Sequence, residues 1–269
     1  MSGELAGVKT TCPYCGVGCG VRAEVASDGG IRIQGDVEHP ANRGRLCVKG
    51  SALGETLGLD GRLLHPEIAG QRVSWDTALD HIADGFKKIV AEHGPDAVAF
   101  YVSGQLLTED YYVANKLMKG FIGSANIDTN SRLCMSSAVA GHVRAFGEDL
   151  VPCNYEDLEV ADLVVLVGSN TAWCHPILFQ RLSRAREARP GMKLVVIDPR
   201  RTATCEGADL HLAVKPGSDV WLFNGLLQYL AARGGGDEAF ATAHTEGLDA
   251  ALSASRSEAE LGAVAERCG

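Results

Sequence analysis

The sequence predicts an α/β fold: a small amino-terminal unit with short β-strands, then an open, mostly parallel α/β sheet. Three observations predict it. The first sixty or so residues are glycine-rich, hold four cysteines and contain two short alternating runs. From residue 161 onward, apolar runs alternate with helix-length segments, the pattern of parallel strands joined by helical crossovers. The length of 269 residues suffices for two domains, which the patterns place at 1–63 and 64–269.

The elements follow in order. Residues 21–25 and 31–34 alternate apolar and polar side chains on either side of Ser27-Asp28-Gly29-Gly30, which reads as a β-hairpin. A short helix is expected over 51–57, ending near Gly58. Ser74 is placed to cap a helix from Trp75 to about Glu92, closed by Gly94-Pro95. Residues 97–102 form a short apolar run and read as a buried strand. Helices are expected over 109–121 and 135–146. Strands at 161–167, 193–197 and 209–214 then alternate with helices at 175–188 and 219–232. The last thirty residues are rich in Ala, Glu and Ser and read as helical.

Composition excludes some partners. A hydrophobic fraction of 46% with 22% charged residues is ordinary for a globular protein. A net charge of −9 argues against a nucleic-acid surface and against an anionic membrane. No apolar run reaches transmembrane length. The residues before Cys12 hold no secretory or twin-arginine leader, so a cytoplasmic location is expected. Nine cysteines, an odd number, fit a reducing compartment and metal-ligand thiols better than paired disulfides.

Cys12, Cys15, Cys19 and Cys47 follow the spacing C-x2-C-x3-C-x27-C. Three thiols share one tight loop and the fourth sits on a returning segment. Four thiolates are the complement of a [4Fe–4S] cluster. The glycines among them permit left-handed backbone and close approach of N–H groups to sulfur. Structural zinc and a disulfide framework compete with this reading. Zinc favours two separated C-x2-C pairs or a Cys/His mixture, whereas three thiols within eight residues suit the corner of a cluster. Gly16-Val17-Gly18-Cys19-Gly20 is not G-x-G-x-x-G and follows no apolar strand, so a dinucleotide loop is set aside.

Further motifs occur in order along the chain: Cys47-Val48-Lys49-Gly50, Arg62-Leu63-Leu64-His65-Pro66, Ser131-Arg132-Leu133-Cys134-Met135-Ser136-Ser137-Ala138-Val139, Gly168-Ser169-Asn170, Asp198-Pro199-Arg200-Arg201 and Pro216-Gly217-Ser218-Asp219. Together with the cysteine loop they resemble the molybdenum bis-pterin guanine dinucleotide oxidoreductases. Within that family the chain looks most like the cytoplasmic assimilatory nitrate reductases.

The resemblance implies roles. Lys49 would lie between cluster and pterin, relaying electrons and offsetting the negative charge of a four-thiolate cluster. Cys134 would ligate molybdenum, where a soft thiolate suits a metal already held by sulfur. It precedes a small-residue helix start, whose N–H groups favour a thiolate. Formate dehydrogenases of the family typically carry histidine after that ligand; Met135 stands there instead and has no acid–base chemistry. Gly168, Ser169 and Asn170, then Asp198 and Arg200, then Gly217, Ser218 and Asp219 would hold the pterin nucleotides at successive strand ends. His142, His175 and Trp173 read as structural, and Cys153, Cys174, Cys205 and Cys268 as free thiols.

The implied activity is the two-electron reduction of nitrate to nitrite by oxygen-atom transfer. The implied cofactors are a [4Fe–4S] cluster and Mo-bis(molybdopterin guanine dinucleotide). The implied partners are nitrate and an electron donor protein or domain: a ferredoxin, a flavodoxin or an NADH-linked reductase. A formate dehydrogenase or another bis-pterin oxidoreductase, a freestanding iron–sulfur electron-transfer module and a zinc-structured binding protein are the alternatives. Catalytic subunits of the family are much longer than this chain, so this chain alone is expected to be inactive.

Overall fold

The computed structural model describes residues 7–27, 29–258 and 260–269. Asp28 of the hairpin turn, and the residues before Gly7 on which the leader reading partly rests, lie outside them.

Strand β1 (Val8–Thr11) is followed by the cysteine loop and the hairpin β2 (Gly20–Val25) and β3 (Ile31–Gly35). The hairpin agrees with the alternation of its residues. Strand β1 was not anticipated; it joins the edge to give the order β1-β2-β3. The expected helix over 51–57 is instead one α-turn, α1 (Val48–Ser51), and a 3-10 turn over Leu53–Leu57. A Cβ at Gly54 would meet Ile31 O at 2.6 Å, so this turn lies tight against β3. Next comes a two-residue hairpin, β4 (Glu67–Ile68) and β5 (Gln71–Arg72), turned by Ala69 and Gly70, both at positive φ.

Helix α2 (Trp75–His93) starts where its cap predicts: Thr77 N–H donates to Ser74 Oγ at 3.2 Å, and Gly94 closes it at φ 84°. The expected buried strand over 97–102 shrinks to β6 (Phe100–Val102). Pro95–Ala97 form a 3-10 turn, and Tyr101 is exposed, so only one side of this strand is covered. Helix α3 (Thr108–Asn115) passes into a π-turn over Lys116–Ile122 and stops at Gly123. Strand β7 (Ile127–Thr129) pairs parallel with β6. The helix expected over 135–146 is α5 (Ser136–Phe146), preceded by a separate short α4 (Asn130–Cys134), with Met135 at the break.

After α6 (Asp157–Val160) the α/β alternation begins: β8 (Leu163–Val167), α7 (Thr171–Cys174), α8 (Pro176–Ala188), β9 (Lys193–Ile197), β10 (Leu210–Leu212) and α9 (Asp219–Ala232). Helices α10 (Glu238–His244), α11 (Leu248–Ala254) and α12 (Leu261–Cys268) complete the chain.

The chain packs as two compact units that interleave in sequence. One comprises residues 1–7, 23–33 and 52–153. Its core is small: Ala78, Val98 and Met118, with buried Ser124 satisfied by Asp96, Val98 O and the Asn126 N–H. The other comprises 8–22, 34–51 and 154–269. Here β8, β9 and β10 form one parallel sheet with β9 central and Val195 in register with both Val165 and Leu210. Period-two alternation sends Leu194 and Val196 to one face, against Val164, Leu182, Met192 and Cys205. It sends Ile197 and partly buried Val195 to the other, with Val214, Val264 and Cys268. Each fully buried aliphatic side chain contributes roughly 1.5–3 kcal/mol. The central strand β9 is covered on both faces, as a parallel strand requires, while the edge strand β8 leaves Leu163, Val165 and Val167 exposed.

Candidate metal centre

The four motif cysteines belong to the second unit. After β1, residues 12–19 make a tight loop closed by the Cys12 N–H donating to Cys19 O at 2.9 Å. Gly16 and Gly18 take φ of 69° and 72°, a region that strains any other L-residue. The chain leaves along β2, returns along β3, and turns through residues 36–45 to present Cys47 just before α1. Asn42 ties the return to the loop. Its carboxamide accepts from Gly20 N at 2.8 Å and donates to Gly20 O at 3.0 Å and Arg45 O at 2.8 Å. A Cβ on Gly20 would run into the His39 side chain.

Cys12, Cys15, Cys19 and Cys47 line a single cavity of about 80 Å3. All four thiols border one shared space, an arrangement that fits a multi-atom cluster. Burial pushes the Cys19 thiol up to about 11, and the neighbouring Cys15, Cys12 and Cys47 push in the same direction. Four thiolates here repel one another unless a cationic body sits between them.

Lys49 is exposed on the wall of the same cavity, its Nζ 5.7 Å from the centre of the Tyr14 ring. Trp173 and Cys174, which sequence reasoning set aside, lie on that wall too. Only a neighbour across more than a hundred residues puts them there, and no local motif signals it.

The support behind the loop was equally silent in sequence. Arg181 on α8 is 7% exposed. It donates to Pro40 O and Ala41 O at 2.9 and 3.0 Å, and to Glu159 at 2.6 Å. Its guanidinium also lies 5.6 Å from the Tyr155 ring centre. The Tyr155 hydroxyl donates to Val17 O at 2.9 Å, inside the cysteine loop. Burial, then the neighbouring Cys19 and Cys15, holds the Tyr155 phenol above its ordinary range, so it stays a donor.

The nucleotide-type turns follow the sheet. Gly168, at φ 56°, leaves β8, and its N–H donates to Ile197 O at 2.8 Å. Ser169 Oγ and Thr171 Oγ1 are 2.7 Å apart, while Asn170 Oδ1 accepts from Thr204 at 3.0 Å. Asp198 leaves β9 and accepts the Arg200 N–H at 2.8 Å; the Arg200 side chain is exposed. Because β8 and β9 are parallel, both turns share the carboxyl edge. Gly217, at φ 81°, follows β10 by five residues; Ser218 is buried and donates to Lys215 O at 2.6 Å, and Asp219 opens α9.

Cys134 belongs to the first unit. It is exposed at the end of α4, and Met135, 44% exposed, separates it from α5. His142 is bonded to Ala138 O within its own helix. Cys205 and Cys268 are buried in the two sheet cores, whereas Cys153 is exposed.

Known proteins extend these local observations. Residues 5–57 match the Molybdopterin oxidoreductase Fe4S4 domain, and residues 62–251 match Molybdopterin oxidoreductase. The chain is 66% identical over 226 residues to a nitrate reductase of Klebsiella oxytoca, covering 84% of this chain and 26% of that protein. It is 54% identical over 273 residues to a nitrate reductase of Shewanella frigidimarina (strain NCIMB 400), covering 97% and 29%. This chain thus spans less than a third of the length of either. In structure it is similar to acetylene hydratase from Pelobacter acetylenicus, with a TM-score of 0.83 and 28% identity over 97% of this chain and 36% of that one. The cysteine loop and the α/β region are each matched separately, so neither likeness rests on the other. The chain therefore belongs to the molybdopterin oxidoreductase family, whose groups are a molybdopterin cofactor and a [4Fe–4S] cluster.

Proposed function

We propose that this chain is the electron-input portion of a cytoplasmic, assimilatory nitrate reductase catalytic subunit. The observation that carries the proposal is its 66% and 54% identity to nitrate reductases. On this reading, residues 1–63 form the cluster domain and 64–269 part of the molybdopterin-binding region. Cys12, Cys15, Cys19 and Cys47 hold the [4Fe–4S] cluster, and Lys49, cationic on the cavity wall, offsets its negative charge on the path to the pterin. Cys134 ligates molybdenum, while the turns at Gly168–Ser169–Asn170, Asp198–Arg200 and Gly217–Ser218–Asp219 seat the guanine dinucleotides of a bis-pterin cofactor.

When bound, these groups supply the redox chemistry: two electrons and two protons turn nitrate into nitrite and water. The chain's own residues bind and orient. The Asn42 and Arg181 contacts fix the thiols, and the parallel strands β8 and β9 aim two turns at one side of the sheet. Met135 beside Cys134 offers no proton to a substrate, which suits oxygen-atom transfer better than formate oxidation.

The test uses the full-length enzyme produced with its cofactors. Cys47→Ala should lose the cluster iron, whereas Cys134→Ala should keep the iron and lose nitrite production from a reduced dye. Full iron in the first variant, or undiminished nitrite formation in the second, would overturn the assignment.

A further inference from the structure

A second cavity, of about 280 Å3, lies in the same compact unit as the cysteine cavity. Arg43, Arg45, Arg181, Arg184 and Arg189 wall it, with Glu159 the one carboxylate among them. The two cavities share a stretch of chain: Asn42, Arg43 and Arg45 wall this one, and Leu46 and Cys47 wall the other.

The five arginines are not equally committed. Arg181 is buried against Glu159, Glu156 and two carbonyls. Arg43 pairs with Glu156 at 3.2 Å and Glu159 at 3.5 Å. Arg189 meets Asp162 at 2.5 Å and the Glu159 and Ala161 carbonyls. Among the described residues, the Arg45 side chain donates only to the neutral Gln180 Oε1, at 2.9 Å. Arg184 is exposed and makes no hydrogen bond or ion pair among the described residues. Three carboxylates against five guanidinium groups leave a surplus of two positive charges, on a chain whose net charge is −9.

We propose that this arginine basin docks an acidic patch of a one-electron donor protein, with carboxylates of the patch seated on Arg45 and Arg184. The proposal rests on the electron-input reading above. Guanidinium groups pair with carboxylates through two parallel hydrogen bonds, which fixes orientation as well as distance. A basic concavity on a chain of net charge −9 focuses the field and favours this approach for an acidic partner. A donor seated here stands one stretch of chain away from the cluster thiols. Each encounter moves one electron: the donor is oxidised by one, the cluster is reduced by one, and no bond or proton changes hands.

The test uses the cluster-loaded protein with an oxidised, acidic plant-type ferredoxin as probe, and measures association at low and high ionic strength. Association of the unmodified protein should weaken steeply with salt. At low salt Arg184→Glu should weaken association about tenfold and Arg184→Lys less than about twofold, the behaviour of a charge at the rim of an interface. Iron content and reduction by dithionite should be unchanged in both. Lys87→Glu, on α2, should bind as the unmodified protein does. The proposal fails if the ferredoxin does not bind the cluster-loaded protein. It fails equally if Arg184→Glu combined with Arg45→Gln binds normally, or if Lys87→Glu weakens binding as much. Stoichiometric binding of inorganic phosphate that depends on Arg184, with ferredoxin binding indifferent to that residue, would mark a small-anion site and overturn docking. Loss of the parent reading shows separately, as absent iron or absent nitrate reduction, because binding is measured apart from turnover.

Discussion

Asn42→Ala removes the clamp between the cysteine loop and the segment that delivers Cys47. Asn42 is 2% exposed and makes three hydrogen bonds, to Gly20 N, Gly20 O and Arg45 O. The losses are unequal. Gly20 O keeps a second donor, the Asp36 N–H at 2.9 Å, whereas the buried Gly20 N–H loses its side-chain acceptor. A stranded buried donor costs about 1–3 kcal/mol, and each of the other two bonds contributes about 0.5–1.5 kcal/mol, giving about 2–6 kcal/mol in all. Asn42→Asp is the sharper probe. It keeps the acceptor for Gly20 N but turns an anionic oxygen toward two carbonyls, so it should be at least as damaging as alanine. The measurements are urea unfolding followed at the cluster absorbance, and the rate of iron loss to a chelator. Both variants should unfold at lower urea and lose iron more than about tenfold faster, since 1.4 kcal/mol is already a factor of ten. An Asn42→Ala protein within about 0.5 kcal/mol of the unmodified one, losing iron at the normal rate, would refute this account of the loop. So would an aspartate variant more stable than the alanine one.

Two other perturbations follow from the same geometry. Gly20→Ala drives a methyl into His39 beside the Asn42 bonds, so iron bound per chain after reconstitution should fall well below that of the unmodified protein; full loading would show that the close approach is tolerated. Asp209 is held below the usual carboxylate range by the Leu194 N–H at 2.8 Å, then by Arg186 and Lys193, against the opposing effect of burial. A depressed folded-state value means its stabilisation is fully present above the unfolded carboxylate value and is lost as pH falls through the folded one. Asp209→Asn should therefore flatten the acid limb of Tm against pH, and an unaltered acid limb would count against this role.

What the sequence made legible was local. Ser74 and Gly94 bound α2 through their own backbone conformations and a bond across three residues. The apolar run of β9 announces a parallel strand covered on both faces, whereas β8, at the sheet edge, buries Val164 but leaves Leu163, Val165 and Val167 exposed. The spacing of Cys12, Cys15 and Cys19 reflects a loop that closes on itself through one hydrogen bond. The misses are non-local or run against local preference. Strand β1 has only four residues and is defined by pairing with β2 across the cysteine loop. The β4–β5 turn puts Ala69 at φ 50°, where glycine or asparagine would have signalled it. Residues 97–102 read as a buried strand by hydropathy, but Pro95 starts a 3-10 turn that consumes Ala97.

The same division runs through the metal centre. Cysteine spacing names candidate ligand atoms, but it says nothing of what brings the four side chains to one cavity. That work falls to groups with no motif of their own. Asn42 bonds Gly20 across 22 residues. Tyr155 reaches Val17 across 138. Arg181 satisfies two carbonyls 140 and 141 residues away. An arginine this deeply buried is stable only when its donors are matched, and here Glu159, Glu156 and the backbone match them. Its carbonyl partners, Pro40 and Ala41, immediately precede Asn42, so one buried cation on α8 holds the segment that clamps the cysteine loop. The bare pattern of thiols is compatible with iron, zinc or disulfides. The buried polar frame around them ties together the segments that bring all four thiols to one cavity.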